Sequence, residues 1–462
     1  MRIVIIGGGA AGATAAQFAR KQSRDAEIDI FESTKYPQYS KCGLPYVLTG
    51  KISSFENLIE FTEEWFQRNK IRLHLSTVVS SVDVSSKRLV VSDAEREKTI
   101  SWDSLIFATG ASPSLPGIGG ILSGDKLREG IFQFRNIDDA KALKEWCAKG
   151  KRKILVVGAG LVGLECAEAL HELQHQVTVV EYLDSVLPTM IDSDMAEIVA
   201  SAIDRAGISL RTSASVQSVA DSEIVKSANL KSRTDGPTEE IECDTVVLAT
   251  GIRPTTELAI QAGCEVGKSG HIRVNEKCET SVKDVFAVGD CTQYRDAVIA
   301  VEWPVGLGTL AVKMGEIAGK NSAGGDAVLP SGFLYSRVTK LFGLEIGGVG
   351  PLSSALSKAG IKYVQSRVKG STLPPYYPGG KEITVKLTAR ADDARLLSCQ
   401  IIGEIESGLR ADIIGAAITG GLKVQDLSML ETAYAPPVAP CVDVLTTAAQ
   451  AIMIRLEHSR KI

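Results

Sequence analysis

Two glycine-rich runs have the spacing that lets a backbone approach a diphosphate. Gly7-Gly-Gly-Ala-Ala-Gly12 follows the apolar run Arg2-Ile-Val-Ile-Ile, and Gly158-Ala-Gly-Leu-Val-Gly163 follows Lys153-Ile-Leu-Val-Val. In a strand–turn–helix unit of this kind the first glycine makes the tight turn, the second admits a pyrophosphate and the third lets the helix pack on the strand. Gly7, Gly9 and Gly12 with Ala10 and Ala11 are thus candidates to hold one dinucleotide at a helix N-terminus, and Gly158, Gly160 and Gly163 with Leu161 and Val162 a second. Each unit runs on into another apolar strand that ends in an acid, Glu32 or Glu181, about 20 residues past the turn, where a carboxylate accepts from ribose hydroxyls. A carboxylate there repels a 2′-phosphate, so Glu181 favours NADH over NADPH. A third candidate is Cys42, in Ser40-Lys-Cys42-Gly-Leu-Pro-Tyr46. Pro45 is tolerated in a first helical turn, so Cys42 is expected to open a helix whose N-terminus lowers the thiol pKa and favours the nucleophilic thiolate.

The elements that position these groups come in two copies. Each fingerprint is followed, roughly 90 to 100 residues later, by an apolar strand ending in Ala-Thr-Gly: Leu105-Ile-Phe-Ala108-Thr109-Gly110 and Val246-Val-Leu-Ala-Thr-Gly251. The repeat therefore spans whole domains. A chain of 462 residues with 44% hydrophobic content has room for two or three cores, and its 43 glycines gather at strand-to-helix turns. The formal net charge of −4 offers no basic surface for nucleic acid. No run reaches the roughly 18 apolar residues of a membrane span, and the first strand begins at Arg2 without room for a leader, so a cytoplasmic location is expected. The nine cysteines lack the paired spacing of zinc or disulfide frameworks, and no metal is expected.

With both fingerprints and the segment Asp284-Val-Phe-Ala-Val-Gly289-Asp290-Cys in place, the chain resembles the pyridine nucleotide-disulfide oxidoreductases over essentially its whole length. The resemblance implies an α/β fold of two Rossmann-like dinucleotide-binding domains plus a C-terminal α+β dimerisation domain. An FAD-binding domain would comprise 1–112 and 247–325, an NAD(P)H-binding domain 113–246, and the dimerisation domain 326–462. It assigns FAD to the first fingerprint and NADH to the second. FAD contacts would extend to Ser33, Lys41, Val79, Ala108, Thr109, Gly110, Arg135, Gly251, Gly289, Asp290 and Thr309, and Glu165 would lie near the nicotinamide and flavin.

Within the family, glutathione-reductase-like members carry a second cysteine where this chain has Val47, and a C-terminal His-Pro pair that is absent here. Cys42-Gly-Leu-Pro-Tyr46 is instead similar to the single-cysteine branch of CoA disulfide reductases and persulfide reductases. In that branch the tyrosine of a Tyr-Ala-Pro-Pro segment, here Tyr434, reaches the partner subunit's cysteine in a homodimer, where a phenol can protonate a leaving thiolate. One of Tyr376 and Tyr377, in Pro374-Pro-Tyr-Tyr-Pro, would assist. CoA is implied as substrate or mixed disulfide, with Arg20 and Lys21 in the region that meets CoA phosphates. Lys41 stands where the branch has Asn or Ser, and Cys441 where the family has an apolar residue, which makes Cys441 a candidate resolving thiol. The same parts also fit an NADH oxidase or peroxidase working through a Cys42 sulfenic acid. A non-catalytic flavin redox sensor and a flavin-only reductase for a protein partner remain as further readings.

Overall fold

The structure is a computed structural model and describes residues 1–94, 96–220, 224–233, 236 and 238–459. Its mixed α/β architecture contains the two expected Rossmann-like sheets and a C-terminal α+β portion. The chain divides into two compact units, one of residues 1–114, 135–137 and 252–333, the other of residues 115–134, 138–251 and 334–462.

The first unit is built on a parallel sheet in the order Val285–Ala287, Ser104–Phe107, Arg2–Ile6, Glu27–Phe31, Arg72–His74. Ile3, Val4 and Ile5 are fully buried, which explains the uninterrupted apolar run: a central parallel strand is covered on both faces. Burying each such side chain contributes about 1.5–3 kcal/mol. The helix Ala10–Gln22 leaves this sheet at the first glycine turn, and the helix Gly308–Ser322 lies along it at very short range. A Cβ on Gly315 would stand 2.5 Å from the Ala11 carbonyl oxygen, and one on Gly319 2.2 Å from that of Ala15. Two glycines one turn apart thus let the backbones touch, as small residues at that spacing do in other close helix pairs.

The second unit repeats the plan. Its parallel sheet runs Ile131–Gln133, Thr245–Leu248, Lys153–Val157, Gln176–Val180, Ser209–Arg211. The same unit contains an antiparallel sheet in the order Arg337–Leu341, Leu344–Val349, Leu396–Gly403, Glu382–Arg390, Tyr363–Ser371. Ile383, Val385 and Leu387 on one face of that sheet join a core with Ile414, Ala448 and Ile452 of two helices, Ser407–Thr419 and Val444–Ser459. From the sheet, Lys386 reaches Asp192 at 2.9 Å and Asp194 at 2.6 Å beside the helix Ser193–Arg205, while the Gln400 side-chain carbonyl accepts from the Asp192 amide at 2.8 Å. The lysine is nearly buried, and its ammonium is held charged by two carboxylates rather than by water.

Candidate active site

The two glycine turns superimpose hydrogen bond for hydrogen bond. The Gly7 amide donates to Phe31 at 2.9 Å and the Gly158 amide to Val180 at 2.7 Å. The three glycines have three separate reasons in both copies. Gly7 and Gly158 take φ of 106° and 108°, a region that favours glycine. At Gly12 and Gly163 a Cβ would lie 2.0 Å from the carbonyl oxygen of the first glycine. At Gly9 and Gly160 a Cβ would project into open space, so these positions keep clear an approach to the N-termini of Ala10–Gln22 and Leu161–Glu172. Neither helix has a side-chain cap or an acid in its first turn, which suits an anionic diphosphate. Ala10, Ala11, Leu161 and Val162 form those first turns.

The acids recur too. Glu32 accepts from the Gly8 and Thr34 amides, both at 2.8 Å, and Glu181 from the Ala159 and Leu183 amides at 2.7 and 2.8 Å. Ser33, next to Glu32 in the chain, is exposed. Gly110 and Gly251 close the two Ala-Thr-Gly segments at positive φ. The first segment is anchored by the Ala108 amide on Ile6 at 2.8 Å and by the Thr109 hydroxyl, which donates to the Thr255 carbonyl.

Of the other residues expected to meet FAD, Asp290 lies on the short turn Gly289–Cys291. Arg135 pairs with Asp290 at 2.8 Å across 155 residues of sequence, so two expected FAD contacts act as one unit. Thr309 is exposed in the first turn of Gly308–Ser322. The Val79 side chain is buried in the core with Leu89 and Val91, at the start of a β-bulge, so only its backbone is available to a cofactor.

At Cys42 the local structure differs from expectation. Lys41–Gly43 is a 3₁₀ turn, and the α-helix begins only at Leu44 and ends at Leu48. Next to the turn, a Cβ on Gly43 would stand 2.2 Å from Leu58 Cδ2, so the chain passes close beneath that side chain just before the helix starts. A five-residue helix offset from the thiol carries little of the field of a longer one. Exposure nevertheless separates the cysteines. Cys42 and Cys441 are exposed and the other seven are buried. Burial pushes Cys147 up to about 11 and Cys243 up to about 12, which suppresses their thiolates. Lys41 is exposed beside Cys42.

In the second unit Tyr376 and Tyr434, 58 residues apart, meet hydroxyl to hydroxyl at 2.6 Å. Tyr377 makes no such contact in its described hydrogen bonds; its amide closes the turn onto Pro374 at 3.0 Å. Tyr434 and Cys441 flank a tight hairpin bridged between Ala435 and Ala439. The hydrogen bond with Tyr376, followed by partial desolvation and by repulsion from Tyr376 and Cys441, raises the Tyr434 pKa above its ordinary value. Glu165 accepts from the Thr339 hydroxyl at 3.0 Å, and burial raises its carboxyl above the usual range.

One expected contact is overturned. The Arg20 guanidinium donates to the carbonyls of Asn69 (3.0 Å), Ser23 (3.2 Å), Arg24 (2.6 Å) and Lys70 (2.7 Å). It is a clamp on the main chain, so it is not placed to serve a CoA phosphate. Lys21 instead stands 4.2 Å over the Phe18 ring. The helix contact through Gly315 and Gly319 was missed in the sequence, although two glycines four apart are a visible signal.

The comparisons decide the family. A profile described as pyridine nucleotide-disulphide oxidoreductase matches residues 1–304, and the dimerisation-domain profile of the same family matches residues 337–444. The chain belongs to the pyridine nucleotide-disulphide oxidoreductases. As a member of this family it is an oxidoreductase that uses FAD and NAD(P)H, with a dimerisation domain at its C-terminal end. It is 37% identical to a protein of Methanocaldococcus jannaschii named NADH oxidase, across 99% of this chain and 100% of that one. It is 35% identical to the NAD(P)H sulfur oxidoreductase (CoA-dependent) of Pyrococcus abyssi, covering 97% and 98%. A solved NAD-dependent persulfide reductase from A. fulgidus matches at TM-score 0.94 and 33% identity, over 99% of this chain and 84% of that one. No described helix of this family member is long and apolar enough to cross a membrane.

Proposed function

We propose that the enzyme passes electrons from NAD(P)H, through FAD and Cys42, to a low-molecular-weight disulfide or persulfide, with CoA persulfide and CoA disulfide as the preferred acceptors. The observation that carries this reading is the exposure of Cys42 in a chain whose other first-unit cysteines are buried, with Val47 in place of a second thiol.

The Gly7–Gly12 turn, Glu32, Thr109 and the Arg135–Asp290 pair would hold FAD, and the Gly158–Gly163 turn the pyridine nucleotide. Bound FAD supplies the relay of an electron pair from the nicotinamide to sulfur. The Cys42 thiolate attacks R–S–SH or R–S–S–R′, forming Cys42–S–S–R and releasing HS⁻ or R′–S⁻. Two electrons and one proton then return the mixed disulfide to the Cys42 thiolate and R–SH. Tyr434, a neutral acid whose hydroxyl is held by Tyr376, hands its proton to the leaving sulfur. The dimerisation domain supports a homodimer in which Tyr434 serves Cys42 of the partner subunit. Lys21 remains as the basic group for a CoA phosphate now that Arg20 is committed to carbonyls. The relative named NADH oxidase favours a second reading, in which dioxygen or peroxide takes the electrons through a Cys42 sulfenic acid.

The test is anaerobic NADH oxidation by FAD-loaded wild type and Cys42→Ser, with CoA disulfide and CoA persulfide offered separately. We expect the variant to lose on the order of a thousandfold or more, as enzymes do without their nucleophile. Equal activity of the two proteins overturns the thiol mechanism, and fast wild-type turnover seen only after oxygen is admitted selects the oxidase. Tyr434→Phe should cost about a hundredfold and Tyr376→Phe less, while Tyr377→Phe stays near wild type.

A further inference from the structure

The carboxylate expected to select NADH is largely occupied. Glu181 is buried, with one oxygen on the Ala159 amide and the other on the Leu183 amide. Its counterpart Glu32 makes the same two bonds but stays partly exposed. The next residue, Tyr182, does face solvent, at 57% exposure, as do Leu183 and Asp184 after it. The Arg233 guanidinium lies 4.1 Å over the Tyr182 ring and donates through Nη1 to the Tyr182 carbonyl at 3.0 Å. Its backbone is fixed to the same loop, since the Arg233 amide donates to Ser213 at 2.8 Å and the Ser213 amide to Leu183 at 2.7 Å. Arg211, at the neighbouring strand end, is drawn aside toward Glu239 at 3.9 Å and Ser209 at 3.0 Å.

A cation at the end of the second strand of a dinucleotide-binding unit is where a 2′-phosphate is recognised. A guanidinium has five donors in a planar fork, so one that stacks on a ring and donates to a carbonyl can still grip a phosphate. We infer that Arg233, held over Tyr182, binds the 2′-phosphate of NADPH, so that the enzyme accepts NADPH as well as NADH. The assignment rests on the reading of the second glycine turn as the pyridine-nucleotide cradle, and it is independent of what Cys42 reduces.

Binding to the FAD-loaded protein should be measured by calorimetry with two probes that differ only in the 2′-phosphate, adenosine 2′,5′-bisphosphate and 5′-AMP. Wild type should bind the bisphosphate at least as tightly as 5′-AMP. Arg233→Ala should weaken the bisphosphate by roughly ten- to a hundredfold, the scale of a charge-assisted hydrogen bond, and change 5′-AMP by less than about twofold. Arg233→Lys should fall between them. With ferricyanide as acceptor, the NADPH loss should appear in KM and leave NADH turnover unchanged. Refusal of the bisphosphate by wild type, or equal weakening of both probes in Arg233→Ala, overturns the assignment. Neither readout needs Cys42 or its acceptor, so failure of disulfide reduction leaves this result standing, and the reverse holds as well.

Discussion

At the first cradle Glu32 takes the amides of Gly8 and Thr34 while one side of it faces solvent; at the second, Glu181 takes those of Ala159 and Leu183 and is buried. The turns beneath them agree to within 2° in the φ of the leading glycine, 106° against 108°. The loops beyond the acids are built separately. At the second cradle the chain folds back so that the Leu187 amide donates to the Ala159 carbonyl at 2.9 Å, and Leu187 adopts φ of 48° to do so. That conformation costs a branched residue about 1–2 kcal/mol, which the buried Leu187 side chain offsets. Backbone contacts at the glycines are shared by the two cradles, and the exposure of the carboxylate above them is not.

The strongest way to break the comparison is at the third glycine. Gly12→Ala and Gly163→Ala each drive a Cβ to 2.0 Å from a carbonyl oxygen, so both should destabilise the protein by about 3 kcal/mol or more. Their losses should separate. Gly12→Ala is expected to be purified with at least about tenfold less flavin by absorbance, and Gly163→Ala to keep its flavin while failing to be reduced by NADH. Flavin loss in Gly163→Ala would mean that the two cradles are not assigned to their cofactors as proposed.

A subtler pair probes the acids. A glutamine must turn its NH₂ toward one of the two amide donors, so each substitution leaves one donor facing a donor. Glu181→Gln, in the buried setting, should cost about 2 kcal/mol in denaturant unfolding and Glu32→Gln about half as much. Equal costs would remove the distinction in burial. The smallest effect concerns Glu165, whose carboxyl burial raises above the ordinary range. The folded state therefore holds that proton to higher pH than the unfolded chain, and stability falls as pH rises from the ordinary carboxylate value to the raised one. The melting temperature of Glu165→Gln relative to wild type should climb by a few degrees across that window and be level below it. A flat difference would show that Thr339 compensates the charge fully.

Much of this was legible because the physics is local. A β-branched run, a glycine turn, a helix and an acid follow one another within about 30 residues, and each glycine has a steric reason that survives in the structure. What was illegible depends on distance in sequence. Nothing near Tyr376 shows that it, rather than Tyr377, meets Tyr434, and nothing near Arg20 shows that carbonyls 49 and 50 residues away will absorb its donors. The helix at Cys42 was misjudged because Pro45 reports only that a helix is allowed there. It does not report that Lys41–Gly43 is a 3₁₀ turn and that the α-helix opens only at Leu44.

The pairing of Ala10–Gln22 with Gly308–Ser322 has a consequence in time. When a nascent chain has emerged to Gly251, all five strands of the second parallel sheet exist, whereas the first sheet still lacks Val285–Ala287 and its glycine turn lacks the helix that backs it. The second cradle can therefore be complete early in synthesis, and the first cradle, begun by the first residues of the chain, is among the later parts to be finished.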